Sequence, residues 1–353
     1  MTKGRRGRLL DWKAALGILI SAAALYYVFK DQDLGALLHE VRSANPFYLF
    51  WATFAATFVF WIRAWRWKAL LDPVREGTSF NSRFAATTIG FMGNNVFPAR
   101  VGEFMRVIAL AKAEKIPIVT SATSIVLERM FDAFTVIALL FLSMVLPGLP
   151  DTAVGAGYAW KAVLLGAAIT ALLVVLCVLV IWPRTAVYVA EQMVRPLPAR
   201  ARRPIIDALE AFLLGASALR NPRVVMRAGL WSIVLWLVNA AGFWIAFHAF
   251  DLPLSFTAAL FFQGALVVGV AAPSAPGFFG VYEFFASLVL VGMWGADPTK
   301  TNAFAASYHL AGFIPVTLIG LYYAWRLRIT LADAAESEEE VEDAVEEVTG
   351  QKP

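Results

Sequence analysis

Long uncharged runs alternate along this chain with short clusters of Lys and Arg. Ala162 to Trp182, Ala228 to Phe250 and Ala303 to Trp325 each supply the ~20 residues that a membrane-spanning helix needs. Ala14 to Phe29 and Phe47 to Ile62 are shorter, but apolar flanks extend them. The pattern predicts spans near 12–29, 47–65, 118–147, 159–182, 228–250 and 303–325. Two apolar segments remain, 84–110 and 256–294, each interrupted by Pro and Gly. Such segments either pair as short helices or turn back inside the membrane, and topology parity does not separate the two.

The order is then span, span, broken segment, span, repeated once. The first broken segment leaves from the cytoplasmic side and the second from outside, so the halves have opposite orientation. The expected fold is an all-α integral membrane protein with about six full spans plus two broken or re-entrant helical hairpins, in two inverted-topology halves. The membrane domain covers 1–330. Its halves run over about 9–150 and 158–328, with a basic cytoplasmic linker at 183–227 inside the second. Residues 331–353 form an acidic, disordered cytoplasmic tail.

Composition supports the membrane assignment. Of 353 residues, 59% are hydrophobic and 16% charged, against roughly 25% charged in a soluble domain. The basic start followed by Leu9 to Phe29 resembles a signal peptide. No small-residue cleavage site with a polar start follows, which predicts an uncleaved first helix. Cys177 is the only cysteine, so one chain forms no disulfide or cysteine metal site. With the N-terminus inside, cytoplasmic segments hold 22 Lys and Arg. External segments hold only Lys30, Arg42, Lys161 and Lys300. This bias predicts a multi-pass protein of the cell (inner) membrane with both termini cytoplasmic. Leu331 to Pro353 carries nine acids and one lysine, so the remainder of a chain of net charge +4 is +12. That excess suits the anionic lipids of the inner leaflet and is not gathered in a separate domain, which argues against nucleic acid. Within 183–227, Ile205, Ile206, Leu209, Phe212, Leu213 and Leu219 fall near helical spacing after Pro204, which suggests a helix on the inner surface.

Charges inside the apolar segments are the candidate chemistry. In NNVFPARVGEFMR, Arg100 ends a run of sixteen uncharged residues, and Arg100, Glu103 and Arg106 come at three-residue spacing around Pro98 and Gly102. A helix starting near Ala99 would place these three on one face and aim free N–H groups at an anion. Asn94 and Asn95 would bond the unwound backbone or a ligand. The bland alternative is a cytoplasmic loop. In SIVLERMFDAFTV, Glu128 and Asp132 share a helix face, Arg129 lies three residues before Asp132, and the triplet leaves one net negative charge for Arg100 or Arg106 to match. Ionisable residues within a span are costly and mark functional sites; a structural ion pair is the alternative. Glu283 is the sole charge in 45 residues, suited to carry a proton, bind a cation or pair with an Arg of the other half. Pro98 precedes Gly102 by four residues, as Pro276 precedes Gly280. Broken segments at corresponding places of inverted halves point to a transporter site. Arg63, Arg66 and Lys68 among Trp61, Trp65 and Trp67 read as an interface belt, and His248 and His309 as isolated core residues. No metal spacing, Walker loop or nucleophile elbow occurs, so no cofactor is expected.

NNVFPARVGEFMRV, ERMFD and APGFFGVYE, in that order, resemble the membrane domain of lysylphosphatidylglycerol synthases, a broad flippase-like family, over about residues 10 to 328. The resemblance implies lipid translocation between leaflets, with aminoacylated phospholipids, polyprenyl-linked sugars or other lipids as substrates. It carries over Asn95, Pro98, Arg100, Gly102, Glu103 and Arg106; Glu128, Arg129 and Asp132; and Pro276, Gly277, Gly280 and Glu283. One departure is Phe278, where the family often has a second glycine, a difference that bears on the tightness of that turn. The synthases also carry a C-terminal aminoacyltransferase domain. Here the chain ends soon after Arg328, so that enzymatic activity is expected to be absent. The expected function is a lipid flippase rather than an enzyme. A membrane-embedded lipid-phosphate transferase with Glu103 or Asp132 as base, or an accessory subunit of an envelope lipid enzyme, are the alternatives.

Overall fold

A computed structural model of the chain describes residues 3–73, 75–97, 100–150, 182–195, 221–270 and 274–329, with positions 167, 171 and 202. Nearly all of the expected span 159–182, the surface helix after Pro204, Pro98 and the acidic tail lie outside the described residues. Every described element is helical. In order they are α1 (Lys3–Phe29), α2 (Leu34–Ser43), α3 (Pro46–Leu71), α4 (Phe80–Val96), α5 (Gly102–Glu114), α6 (Ile118–Val145), α7 (Pro183–Val194), α8 (Pro222–Ala249), α9 (Phe256–Val270), α10 (Val281–Ala286) and α11 (Pro298–Leu327).

Among them, α3, α8 and α11 are long and apolar enough to cross a membrane alone. All three begin the same way. Asn45, Asn221 and Asp297 accept a hydrogen bond from a backbone N–H of the first turn, and Pro46, Pro222 and Pro298 follow at the first helical position. The side chain satisfies an orphan donor, and the proline supplies a preset φ where no N–H is needed. The 28 residues of α6 are as long as α8, but Glu128, Arg129 and Asp132 lie in its interior.

Both predicted breaks are present. The α4 helix stops at Val96, and α5 returns beside it in antiparallel fashion. Gly90 and Gly93 face Arg106 and Gly102 across the pair. A Cβ on Gly102 would collide with the Gly90 carbonyl oxygen, so the two backbones meet where only glycine fits. In the second break, α9 ends at Val270, Pro276–Phe278 makes one 3₁₀ turn, and α10 returns with a π-type turn at Ser287–Val291. Gly269 packs on Phe285 and Phe261 on Trp294, again antiparallel. Gly280 combines a φ of +86° with a close approach to the Ser21 carbonyl of α1, which excludes any side chain there. Phe278, at the position where a second glycine was expected, has a φ of +63°. It therefore adopts the glycine conformation, at a cost of roughly 1–2 kcal/mol.

Two apolar cores organise the bundle. One gathers the C-terminal part of α3, α4, α5, the start of α6 and the start of α8 around Trp67, Ile89 and Leu110. The other gathers the end of α8, α9, α10 and the start of α11 around Phe247, Phe262 and Phe304. Each core surrounds one broken segment.

Candidate functional site

Seven charged side chains of α3, α5 and α6 interlock. Glu128, fully buried, receives both arms of the Arg106 guanidinium at 2.8 and 2.7 Å. It also lies 3.1 Å from Arg66. Asp132 accepts from Arg66, from Arg63 at 3.1 Å and from the Trp236 indole of α8 at 2.9 Å. Ser232 accepts from Arg66 at 3.0 Å, and the Arg106 guanidinium sits 3.9 Å from the centroid of the Trp67 ring. Arg129, part exposed, reaches Glu103 at 3.4 Å and Asp132 at 3.6 Å. Fork-shaped guanidinium pairing fits such a cluster because it satisfies both carboxylate oxygens at once.

The cluster therefore holds Arg63, Arg66, Arg106 and Arg129 against Glu103, Glu128 and Asp132. One positive charge is left over. Of the two partners expected for the α6 triplet, Arg106 pairs with Glu128, whereas Arg100 does not reach it. Arg63 and Arg66 overturn the interface-belt expectation: Arg66 is fully buried and Arg63 nearly so. Their i, i+3 spacing directs both toward α6, where two carboxylates repay the desolvation that a lipid-facing arginine would avoid by snorkelling. Lys68 is the residue that does sit outside, paired with Asp72 on its own helix. Trp67 is buried, while Trp61 and Trp65 are exposed.

The shared face expected of Arg100, Glu103 and Arg106 is also corrected. The α5 helix begins at Gly102, and Arg100 precedes it with a φ of +58°. The close contact of Gly102 with α4 sets the helix start, so Arg100 stays in the turn while Glu103 and Arg106 ride on α5. Arg100 instead donates to the Val270 carbonyl and lies 5.9 Å from the Phe278 ring centroid. The two breaks thus touch through this side chain. Asn95 donates to Thr317 Oγ1 at 2.8 Å. Asn94 packs beside Gly102, and its buried Oδ1 has no hydrogen bond.

Residues of α3, α4, α8, α9, the second break and α11 enclose a cavity of about 270 Å³. Its walls are mainly apolar, with Arg63, Asn95, Asn239, Gln263, Tyr282, Tyr308 and His309 as the polar groups. Several of these have unused capacity. Both amide atoms of Gln263, the Tyr282 hydroxyl and Arg63 Nε are buried without a hydrogen-bond partner. Buried polar atoms left unpaired are costly, and their convergence marks a place built for a polar ligand.

His309 is the third residue whose bland expectation fails. Its Nδ1 lies 2.7 Å from Glu283 Oε1, and its Nε2 lies 2.8 Å from the Gly277 carbonyl. Glu283 Oε2 accepts from the Gly280 N–H at 2.6 Å. So Glu283 pairs with a histidine of α11, and Gly277 and Gly280 are held by the pair. Pro276 opens the turn that they close. His248 bonds only the Trp244 carbonyl on its own helix. Among the described residues no group of His, Cys, Asp and Glu has the makings of a metal site.

Residues 14–320 match the family described as the lysylphosphatidylglycerol synthase TM region. The chain belongs to that family. It is a membrane protein, and the family implies membrane lipids as substrates. A curated relative is the glycosyltransferase AglD of Haloferax volcanii, 26% identical over 376 residues. The match takes in 95% of this chain and 58% of that protein, so the chain spans well under two thirds of its relative. This similarity corrects the expectation that the chain is not an enzyme: at low identity, it points toward one.

Proposed function

We propose that this family member binds the phosphate of a lipid-linked substrate in the cavity between its two broken helices. The headgroup is then moved between leaflets in the service of glycosyl transfer. The observation that carries the reading is the leftover positive charge of the buried cluster. Arg63 brings it to the wall of a cavity that also exposes unpaired Gln263 and Tyr282. A phosphate there neutralises the excess cation and uses the free donors, while acyl or polyprenyl chains remain among apolar walls. The polar headgroup would otherwise cross hydrocarbon at a cost of several kcal/mol. Arg100, Arg129, Asn94 and Asn95 flank the route. In this reading the halves are inverted repeats that rock about the cavity, with both termini in the cytoplasm and the basic linker on the anionic inner leaflet. The two antiparallel hairpins, each followed by a long helix, support it.

The likeness to a protein named as a glycosyltransferase favours a second reading, transfer chemistry on the same lipid phosphate. Asp132 is saturated by Arg63, Arg66 and Trp236 and is a poor base. Glu103, whose Oε2 has no hydrogen-bond partner, is the better one. Sealed vesicles containing the protein and a labelled polyprenyl-phosphate sugar distinguish the readings. Translocation requires the sealed bilayer, whereas transfer consumes a donor in detergent as well. Arg63→Lys keeps the charge but loses the second donor arm. A charge-assisted hydrogen bond contributes about 1.5–3 kcal/mol, so the variant should bind the lipid roughly tenfold or more weakly. Neither movement nor turnover of any phosphate-bearing lipid, by a folded protein, overturns the proposal.

A further inference from the structure

The His309–Glu283 pair has a property that does not depend on which lipid the cavity takes. Nε2 faces a backbone carbonyl, which only accepts, so Nε2 must carry a hydrogen. Nδ1 faces a carboxylate oxygen at 2.7 Å, and the other carboxylate oxygen already accepts from Gly280. A bare Nδ1 against an ionised carboxylate would set two lone pairs against each other. A second proton must lie between them, whether written as imidazolium with carboxylate or as imidazole with carboxylic acid. The pair therefore holds one proton more than a neutral histidine beside an ionised glutamate.

Its surroundings tie that proton to shape. Glu283 lies in the first turn of α10, Gly277 in the second break and His309 in α11, so one ring joins all three. Loss of the proton leaves a single N–H for two acceptors. The ring then releases either Gly277 or Glu283. His309 borders the cavity, so the departing proton has water or a ligand to receive it. The neighbours do not offer a substitute charge. Tyr282 stacks on the imidazole at 4.2 Å and Phe279 at 4.6 Å. Ser21 of α1, Asn95 of α4, Asn239 of α8, Gln263 of α9 and Tyr308 of α11 are polar groups that adjoin the second break or line the cavity with His309. The charged residues nearest the same space are Arg63 of α3, across the cavity, and Arg100, beside Phe278.

We propose that His309 and Glu283 form a proton-binding site that opens onto the cavity, with the bound proton holding the second break against α11. Coupling of this proton to lipid movement rests on the function proposed above; the site itself does not.

The test is ¹⁵N-histidine NMR of the full chain in detergent. The sequence has three histidines, and the other two, His39 and His248, are exposed, so His309→Gln assigns the third set of signals. At neutral pH, Nε2 should read as protonated and Nδ1 as sharing a proton. Raising the pH should release about one proton and shift both signals. Glu283→Gln supplies the amide N–H in place of the shared proton and its oxygen to Gly280. It should keep the fold, fix Nδ1 as an acceptor and abolish the pH-dependent shift. A wild-type Nδ1 that is bare across the whole pH range overturns the proposal, as does an identical titration in Glu283→Gln. The wild-type titration decides even if the variant fails to accumulate. In sealed vesicles, a pH gradient should change the rate of lipid movement in wild type but not in Glu283→Gln. A titrating pair in a protein that moves no lipid upholds the proton site and removes the transport reading alone.

Discussion

The two broken segments face the same problem, polar groups among apolar helices, and meet it differently. Around the first, fixed charges pair with one positive charge to spare: three carboxylates against four guanidinium groups, spread over α3, α5 and α6. Around the second, one carboxylate and one imidazole share a proton inside an aromatic cage. Guanidinium groups keep their charge at any pH that a cell meets, so the first cluster is a permanent scaffold. The second pairing depends on a single proton held between His309 and Glu283, so losing that proton undoes it. Arg100, reaching from the first break to Val270, joins the scaffold to the reversible part.

Breaking the scaffold should have the largest effect. Glu128→Gln leaves Arg106 and Arg66 facing a neutral group in a buried site. Stranding one partner of such a pair costs about 3–5 kcal/mol. The variant should accumulate poorly and melt well below wild type in detergent; near-normal melting would mean that water compensates the cluster. The matching change at the second break, Glu283→Gln, preserves its hydrogen bonds and should lower thermal stability far less. Equal losses from the two substitutions would erase the contrast drawn here.

Next come the two tight approaches. Gly102→Ala and Gly280→Ala each force a methyl into a backbone oxygen, and such overpacking costs about 1–3 kcal/mol. Gly280→Ala should be the worse of the two, because its φ of +86° adds backbone strain. A thermal-shift comparison of the pair tests the order. Arg100→Ala removes the link between the breaks. Because the residue is exposed, the stability change should stay near 1 kcal/mol. Its clearer signature should be faster hydrogen exchange at both turns, and unchanged exchange would show that the link is idle. Lys68→Ala, which breaks an exposed i, i+4 pair only five residues from Arg63, should cost less than about 0.5 kcal/mol. A larger loss there would mean that the cluster extends further out than Arg63 and Arg66.

The local features were legible because their causes are local. Asn94 through Arg106 announced a break through Pro98 and Gly102, and α4 and α5 are separate helices. Pro276, Gly277 and Gly280 did the same for the second turn. Glu128 and Asp132 were marked by their position within an apolar helix, and both are buried. Arg63 and Arg66 were misjudged because an arginine beside tryptophans looks alike at a lipid interface and in a core. Their i, i+3 spacing on one face was the available signal. His309 offered none, since its partner is 26 residues away across a turn. Arg100 was placed on the wrong element because a contact between glycines, not a capping residue, sets where α5 begins.

The sequence by itself determined that this chain belongs in a membrane, where three of its long helices start and where the chain breaks. Hydrophobic run length, Asx–Pro starts and Pro/Gly interruptions act within a few residues of themselves. Tertiary structure alone decided which charges meet. A buried charge is tolerable only beside its counter-charge, and the counter-charges of Arg63, Arg66 and His309 come from other helices. Only the packing of α3 against α6, and of α10 against α11, brings those groups within hydrogen-bond reach.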